Sequence, residues 1–169
     1  MKNELITNFS VDKENNTIKV RREFMAPLKH VWAAWTMPEL LDQWWAPKPY
    51  RTETKSMEFS EGGIWLYAMI SPENKKQWCK ATYKTIDPKK SFSYADAFCD
   101  ENGKENSEKP NSYWTNVFSE NEGITTVNIT LKQDSFADAE KMIEMGFKEG
   151  FLKALENLDN FLSILIKDK

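Results

Sequence analysis

The sequence predicts an α+β fold: a curved antiparallel sheet wrapped around a long C-terminal α-helix, with an apolar pocket between the two layers. Three observations carry this. Two strand-like segments open the chain, six more follow two short helical ones, and the chain closes on a long stretch with an apolar stripe at helical spacing. A meander that ends in such a helix must bury the apolar stripe against one face of the sheet.

Residues 4–11 and 16–25 read as strands around the turn Asp12-Lys13-Glu14-Asn15. Residues 28–36 have helical spacing, with Val31, Trp32 and Trp35 on one side. Pro38 suits a first helical position, where its fixed φ and missing N–H cost nothing, and starts a second short helix to Trp44. Strands follow at about 52–59, 63–70, 76–87, 90–99, 112–119 and 123–131. Asp87-Pro88-Lys89-Lys90 and Asn121-Glu122-Gly123 supply tight turns, and the polar stretch Asp100 to Asn111 reads as one long surface loop. A single helix then runs from about Phe136 to Ile166, with Ile143, Phe147, Phe151, Ala154, Leu158, Phe161 and Leu165 along its stripe.

At 169 residues the prior is one domain, residues 1–169, burying roughly 70% of its unfolded surface without metal or disulfide support. The net charge is −3, and Lys and Arg are dispersed rather than gathered in a basic stripe, so no nucleic-acid partner is expected. No apolar run is long enough for a membrane span, and Met1 to Leu5 lacks a signal-peptide pattern, so a cytoplasmic location is expected. Cys79 and Cys99 form no CxxC pair or disulfide framework. The only histidine, His30, falls on a polar side of the first helix and is expected at the surface, not in catalysis. His- or Cys-rich metal sites are excluded by counting, and the six glycines form no phosphate loop or dinucleotide fingerprint. No catalytic residue, metal or cofactor is therefore assigned.

Strand parity places the pocket. Side chains alternate faces, and directly paired residues share one. With Pro88-Lys89 as a two-residue turn, Cys79 falls opposite Phe98, Ala81 opposite Asp96, Tyr83 opposite Tyr94, and Trp78 opposite Cys99. The two cysteines then point to opposite faces. Tyr83, Phe92, Tyr94 and Phe98 are expected to face the long helix, with Asp96 among them. Pairing Phe118 with Thr125 puts Trp114, Asn116 and Phe118 on the same inner face, beside Ile129, Val127 and Thr125, and Trp65, Tyr67 and Met69 complete the lining. Asp96 and Asn116 are polar groups on an apolar face, and each needs a partner, because burial without one costs a few kcal/mol. Either they contact a ligand, or a Tyr hydroxyl satisfies them, or a β-bulge turns Asp96 outward. Gly146 and Gly150 strip side chains from one face of the helix. The first reading is close packing of the sheet there, the second a pocket floor beside Phe147. Met142 and Met145 read as gap-filling core residues, and Trp44 and Trp45 as guards of the pocket mouth or as scaffold. On the opposite sheet face, Ile64, Leu66, Ala68 and Ile70, joined by Trp78, form an apolar patch. It predicts a partner or a homodimer unless the N-terminal strand or the 100–111 loop covers it.

Four motifs in order carry a family resemblance: Ala26-Pro27-x3-Val31-Trp32-x-Ala34-Trp35-Thr36-x-Pro38-Glu39-Leu40-x3-Trp44-Trp45, then Gly62-Gly63-x-Trp65-x-Tyr67-x-Met69, then Tyr83-x2-Ile86-Asp87-Pro88, and finally Gly146-Phe147-x3-Phe151-x2-Ala154-Leu155-x2-Leu158-x2-Phe161-Leu162. Over about residues 17–163 the chain resembles the domains of activator-of-heat-shock-ATPase-like proteins, in the START-like superfamily also labelled SRPBCC. It departs from their usual pattern at Met37, where an acidic cap is common, at Ser60-Glu61, where a basic residue and Pro are common, and at Ser71-Pro72-Glu73-Asn74, where the turn is usually Gly-rich. The resemblance implies the helix-grip fold. The expected function is binding of a small apolar or aromatic molecule by Trp65, Tyr67, Met69, Tyr83, Tyr94, Asp96, Trp114, Asn116, Gly146, Phe147 and Gly150. Two alternatives stand beside it: a chaperone-associated interaction module, which the family name implies, and a cyclase- or hydrolase-type enzyme using Asp96 and a Tyr.

Overall fold

The computed structural model describes residues 7–46, 48–107 and 111–167. In chain order the elements are β1 (Thr7–Asp12), β2 (Thr17–Phe24), α1 (Leu28–Thr36), α2 (Pro38–Trp44), β3 (Arg51–Met57), β4 (Ile64–Ile70), β5 (Lys76–Asp87), β6 (Ser91–Cys99), β7 (Ser112–Asn121), β8 (Ile124–Gln133), α3 (Phe136–Glu144) and α4 (Phe147–Lys167). The strands form one antiparallel sheet in the order β1-β2-β8-β7-β6-β5-β4-β3. This is the expected helix-grip arrangement. The predicted start of the first strand, residues 4–6, lies outside the described residues.

Because β2 and β3 stand at opposite sides of the sheet, the chain between them must cross it, and α1 and α2 make that crossing. Pro38 opens α2 as its spacing predicts, and the Trp44 indole N–H donates to the Ala34 carbonyl at 2.9 Å, locking the two helices together. Helix α4 presents Phe151, Ala154, Leu155, Leu158 and Leu162 to the inner face of the sheet. The buried stripe is thus centred on Leu155 and Leu162, with Phe161 and Leu165 at its margin. The double-glycine entry to β4 is needed sterically: a Cβ on Gly63 would lie 2.1 Å from the Glu58 carbonyl oxygen. That close approach lets the Gly63 carbonyl accept from Tyr83 N while Gly62 N donates to the Tyr83 carbonyl, docking β4 onto β5.

Five expectations change in the structure. The single terminal helix is two. The backbone at Gly146 has φ +91°, a left-handed conformation cheap only for glycine, and it ends α3 before α4 begins. The β5–β6 turn is also different. Asp87 pairs with Ser91 across a three-residue loop with Lys89 in a left-handed conformation, not with Lys90 across two residues. A β-bulge between Tyr83 and Ile86 absorbs the extra residue, so the pairs Tyr83–Tyr94, Ala81–Asp96, Cys79–Phe98 and Trp78–Cys99 form as expected.

The β7–β8 hairpin turns tightly at Glu122-Gly123, both with positive φ, so Phe118 pairs with Val127 rather than Thr125. A two-residue slip preserves parity. Trp114, Asn116 and Phe118 keep the inner face, now beside Leu131, Ile129 and Val127. His30 is not on the surface: it is 8% exposed, because its stretch of α1 packs into the fold.

The outer-face patch is largely covered by its own chain. Leu66 is 9% exposed, Ala68 and Ile70 are fully buried, and Trp78 is half-buried with Lys55 and Lys76 over its ring. Lys55 is held there by donating to the Glu101 carbonyl, and Cys99 bridges to Glu105 of the following loop. Of the residues expected to form a homodimer face, only Ile64, 42% exposed, offers a large free apolar surface.

Candidate ligand-binding site

The inner face of the sheet does not pack solidly on the helices. A cavity of about 270 Å³ lies between them. Tyr67 and Met69 of β4, Cys79 of β5, Asp96 and Phe98 of β6 and Trp114 of β7 form its sheet wall. Trp45, just past α2, closes one side. The helix wall is Met142 of α3, Met145 and Gly146 at the break, and Phe147, Gly150 and Phe151 of α4. Met145 is 57% exposed, so the cavity meets solvent beside it. Both glycines border open space, and nothing lies within 4 Å of a Cβ built on Gly146. At Gly146 the fold therefore does not use the close packing expected there.

The cavity has one strongly polar focus. Small Ala81 stands opposite Asp96 and leaves it room, and the Tyr67 hydroxyl donates to Asp96 Oδ1 at 3.4 Å. Among the described residues no Lys, Arg or His forms an ion pair with Asp96. Its side chain is half-buried at the edge of the cavity. Burial therefore pushes its pKa up to about 7, although the Tyr67 hydroxyl and the Ala97 backbone pull the other way. Burial also raises Tyr67 and Tyr94, and the nearby Asp96 carboxyl adds to both effects. A carboxyl that titrates near neutrality beside a neutral phenol can hold or release a proton, and it can accept from a ligand donor.

The position of Tyr67 is set by a relay of side chains. Trp65 stacks on it with ring centroids 3.9 Å apart and an interplanar angle of 21°. The Trp65 indole N–H donates to Thr54 Oγ1 at 3.0 Å, and Thr54 Oγ1 donates to Asp42 at 2.6 Å. On the helix side, Met142 Sδ accepts from Ser112 Oγ at 3.1 Å and from Gln133 Nε2 at 3.0 Å, which ties α3 to the sheet.

Residues 25–163 match the family described as Activator of Hsp90 ATPase homolog 1-like protein. The chain belongs to this family. Solved structures agree in fold over nearly the whole length. A protein from Arthrobacter aurescens is 31% identical, with 92% of this chain and 91% of that one covered at a TM-score of 0.87. One from Mycobacterium smegmatis is 25% identical, with 94% and 97% covered at 0.85. A protein of the same family from Silicibacter pomeroyi shares the fold at 17% identity, with 88% and 98% covered and a TM-score of 0.70. No curated protein matches the chain.

Within this family fold, seven of the eleven residues named from sequence border the cavity: Tyr67, Met69, Asp96, Trp114, Gly146, Phe147 and Gly150. Trp65, Tyr83, Tyr94 and Asn116 do not. Trp65 stands behind Tyr67. Tyr83 packs edge-on to Phe59 and Tyr94, while Tyr94 stacks on Trp114 at 5.6 Å and 14°. Asn116 is fully buried, and neither amide atom has a hydrogen bond of good geometry, although its amide acts on the Tyr94 hydroxyl. Sequence reasoning placed Trp45 at the pocket mouth and Phe98 on the inner face without naming them as ligand contacts, and it left out Cys79, Met142, Met145 and Phe151. For Cys79 and Phe98 the signal was present, since they pair with each other and Cys79 pairs with Tyr67. Met142 and Met145 had no such signal, because their placement depends on where the helix breaks.

Proposed function

We propose that this member of the family binds a small, largely apolar or aromatic molecule in the cavity between sheet and helices. The cavity itself carries the reading: it is lined by aromatic and thioether side chains, polar mainly at Asp96 and Tyr67, and open beside Met145. A concave apolar site with a few convergent polar groups is the usual form of a small-molecule site. Native mass spectrometry of protein purified from its own cells is expected to reveal a bound small molecule. A folded sample that carries none and takes up none rejects the reading.

A second reading, proton transfer on the bound molecule, has one observation in its favour: the Asp96–Tyr67 pair, with the carboxyl raised to about 7. Turnover is then expected to fall by a factor of about 100 or more in Asp96→Asn. Turnover that survives both Asp96→Asn and Tyr67→Phe removes the pair from consideration. Contact with a heat-shock chaperone is suggested by the family description alone.

A further inference from the structure

We propose, on the basis of the binding reading above, that the molecule this cavity takes is a cationic amine whose ammonium pairs with Asp96 and whose apolar body lies among the aromatic rings. The argument starts from charge. Among the described residues, Asp96 is the only one bordering the cavity that is charged in water at neutral pH. The Tyr67 hydroxyl bonds it, its charge acts on the Tyr83 and Tyr94 hydroxyls and the Cys99 thiol, and the Cys79 thiol borders the same cavity. Every one of these is an acid. None can supply positive charge.

Among the described residues, the cations of neighbouring elements lie away from the cavity. Lys80 of β5 pairs with Glu105 at 3.1 Å, on the side of the sheet away from the helices. Lys148 of α4 is exposed and sits over the Phe9 ring, 5.3 Å from its centroid. Lys141 of α3, like Glu144 and Glu149, is exposed and absent from the cavity lining. Among the described residues the carboxyl therefore has no counter-ion, and burial of an unpaired carboxylate is costly.

Four ligand classes can be compared on that ground. A pure hydrocarbon gains nothing from Asp96. An anion is repelled once the carboxyl ionises. A neutral hydrogen-bonding group can bond the carboxyl, but it leaves the charge unpaired once the pH passes about 7. An ammonium supplies the missing counter-charge, and its remaining surface meets Trp45, Tyr67, Trp114 and Phe151, whose π-systems attract cations. A cavity of about 270 Å³ has room for a one-ring or short-chain amine.

The test compares 2-phenylethylamine, 2-phenylethanol and phenylacetate, three probes of nearly one shape and different charge, by isothermal titration calorimetry on the whole protein. Near pH 8 the amine is expected to bind at least about tenfold tighter than the alcohol. Its affinity is expected to weaken towards pH 5, where Asp96 holds a proton while the amine stays charged. Asp96→Asn is expected to lose on the order of a hundredfold of amine affinity near pH 8 and to leave the alcohol within about twofold. The pH profile of the unmodified protein stands whether or not that variant folds well. Equal or tighter binding of the alcohol or phenylacetate, or an amine advantage that survives in Asp96→Asn, overturns the amine proposal and leaves the cavity-binding reading intact. Failure of all three probes to bind overturns the amine proposal and counts against the broader reading as well.

Discussion

Asp96→Asn is expected to flatten the dependence of folding stability on pH and to make the protein more stable than the wild type near pH 8. In the folded chain the Asp96 pKa rises from 3.8 to about 7, so between those values the native state keeps a proton that the unfolded chain has released. The unfolded state binds fewer protons there, and stability must fall as pH rises through that window. The contribution is complete below about pH 4 and lost above about pH 7. The full rise corresponds to at most about 4 kcal/mol, reduced where cavity water screens the carboxylate. Asn is nearly isosteric, carries no charge, and its carbonyl can still accept from the Tyr67 hydroxyl. Urea unfolding of both proteins near pH 4.5 and pH 8 checks the expectation. Parallel profiles for the two proteins would mean that the carboxyl is solvated rather than enclosed.

Trp45→Ala is expected to cost about 3–5 kcal/mol, more than the loss of any other single wall of the cavity. Trp45 is the hub of the aromatic core. Its ring lies 5.3 Å from Trp44, 5.5 Å from Trp65, 5.6 Å from Trp114 and 6.2 Å from Phe151, joining α2, the sheet and α4. Removing it merges its own volume with an existing cavity, so neighbouring side chains cannot collapse onto the gap from that side. Trp45→Phe keeps an aromatic ring at the hub and is expected to cost less than half as much. Denaturant midpoints of the two variants test this. A loss below about 1 kcal/mol in the alanine variant would show that α2 can close over the space.

Much of the architecture was legible because it is written in local periods. Trp65, Tyr67 and Met69 alternate, as do Trp114, Asn116 and Phe118, and such runs specify a strand face whatever the register. The β7–β8 hairpin makes the point: its pairing slipped by two residues, and every inner-facing side chain stayed inner-facing. The bulge after Tyr83 illustrates a different case. The turn departed from expectation, and the bulge compensated, so that Ala81 still meets Asp96.

Depth was not legible. Parity places Asp96 and Asn116 on one face, but only the curvature of the sheet and the path of α4 decide that one borders open space and the other is fully buried. Nor could the glycines be read alone. A mid-helix Gly146 and a helix-ending Gly146 have the same sequence neighbourhood, and the left-handed backbone there follows from how α3 and α4 each dock on the sheet.

By itself the sequence determined the order of strands and helices up to the C-terminal helical stretch, the family, the inner-facing residues of β4 to β8 and the presence of an acid on an aromatic face, because each follows from residue chemistry at short range. Only the tertiary structure decided that Tyr67 meets Asp96, that Met142 and Met145 complete the wall around it, and that no cation pairs with it among the described residues. Those relations join residues far apart in the chain. The low-polarity enclosure that lifts the Asp96 pKa arises only when the sheet and the helices close around it.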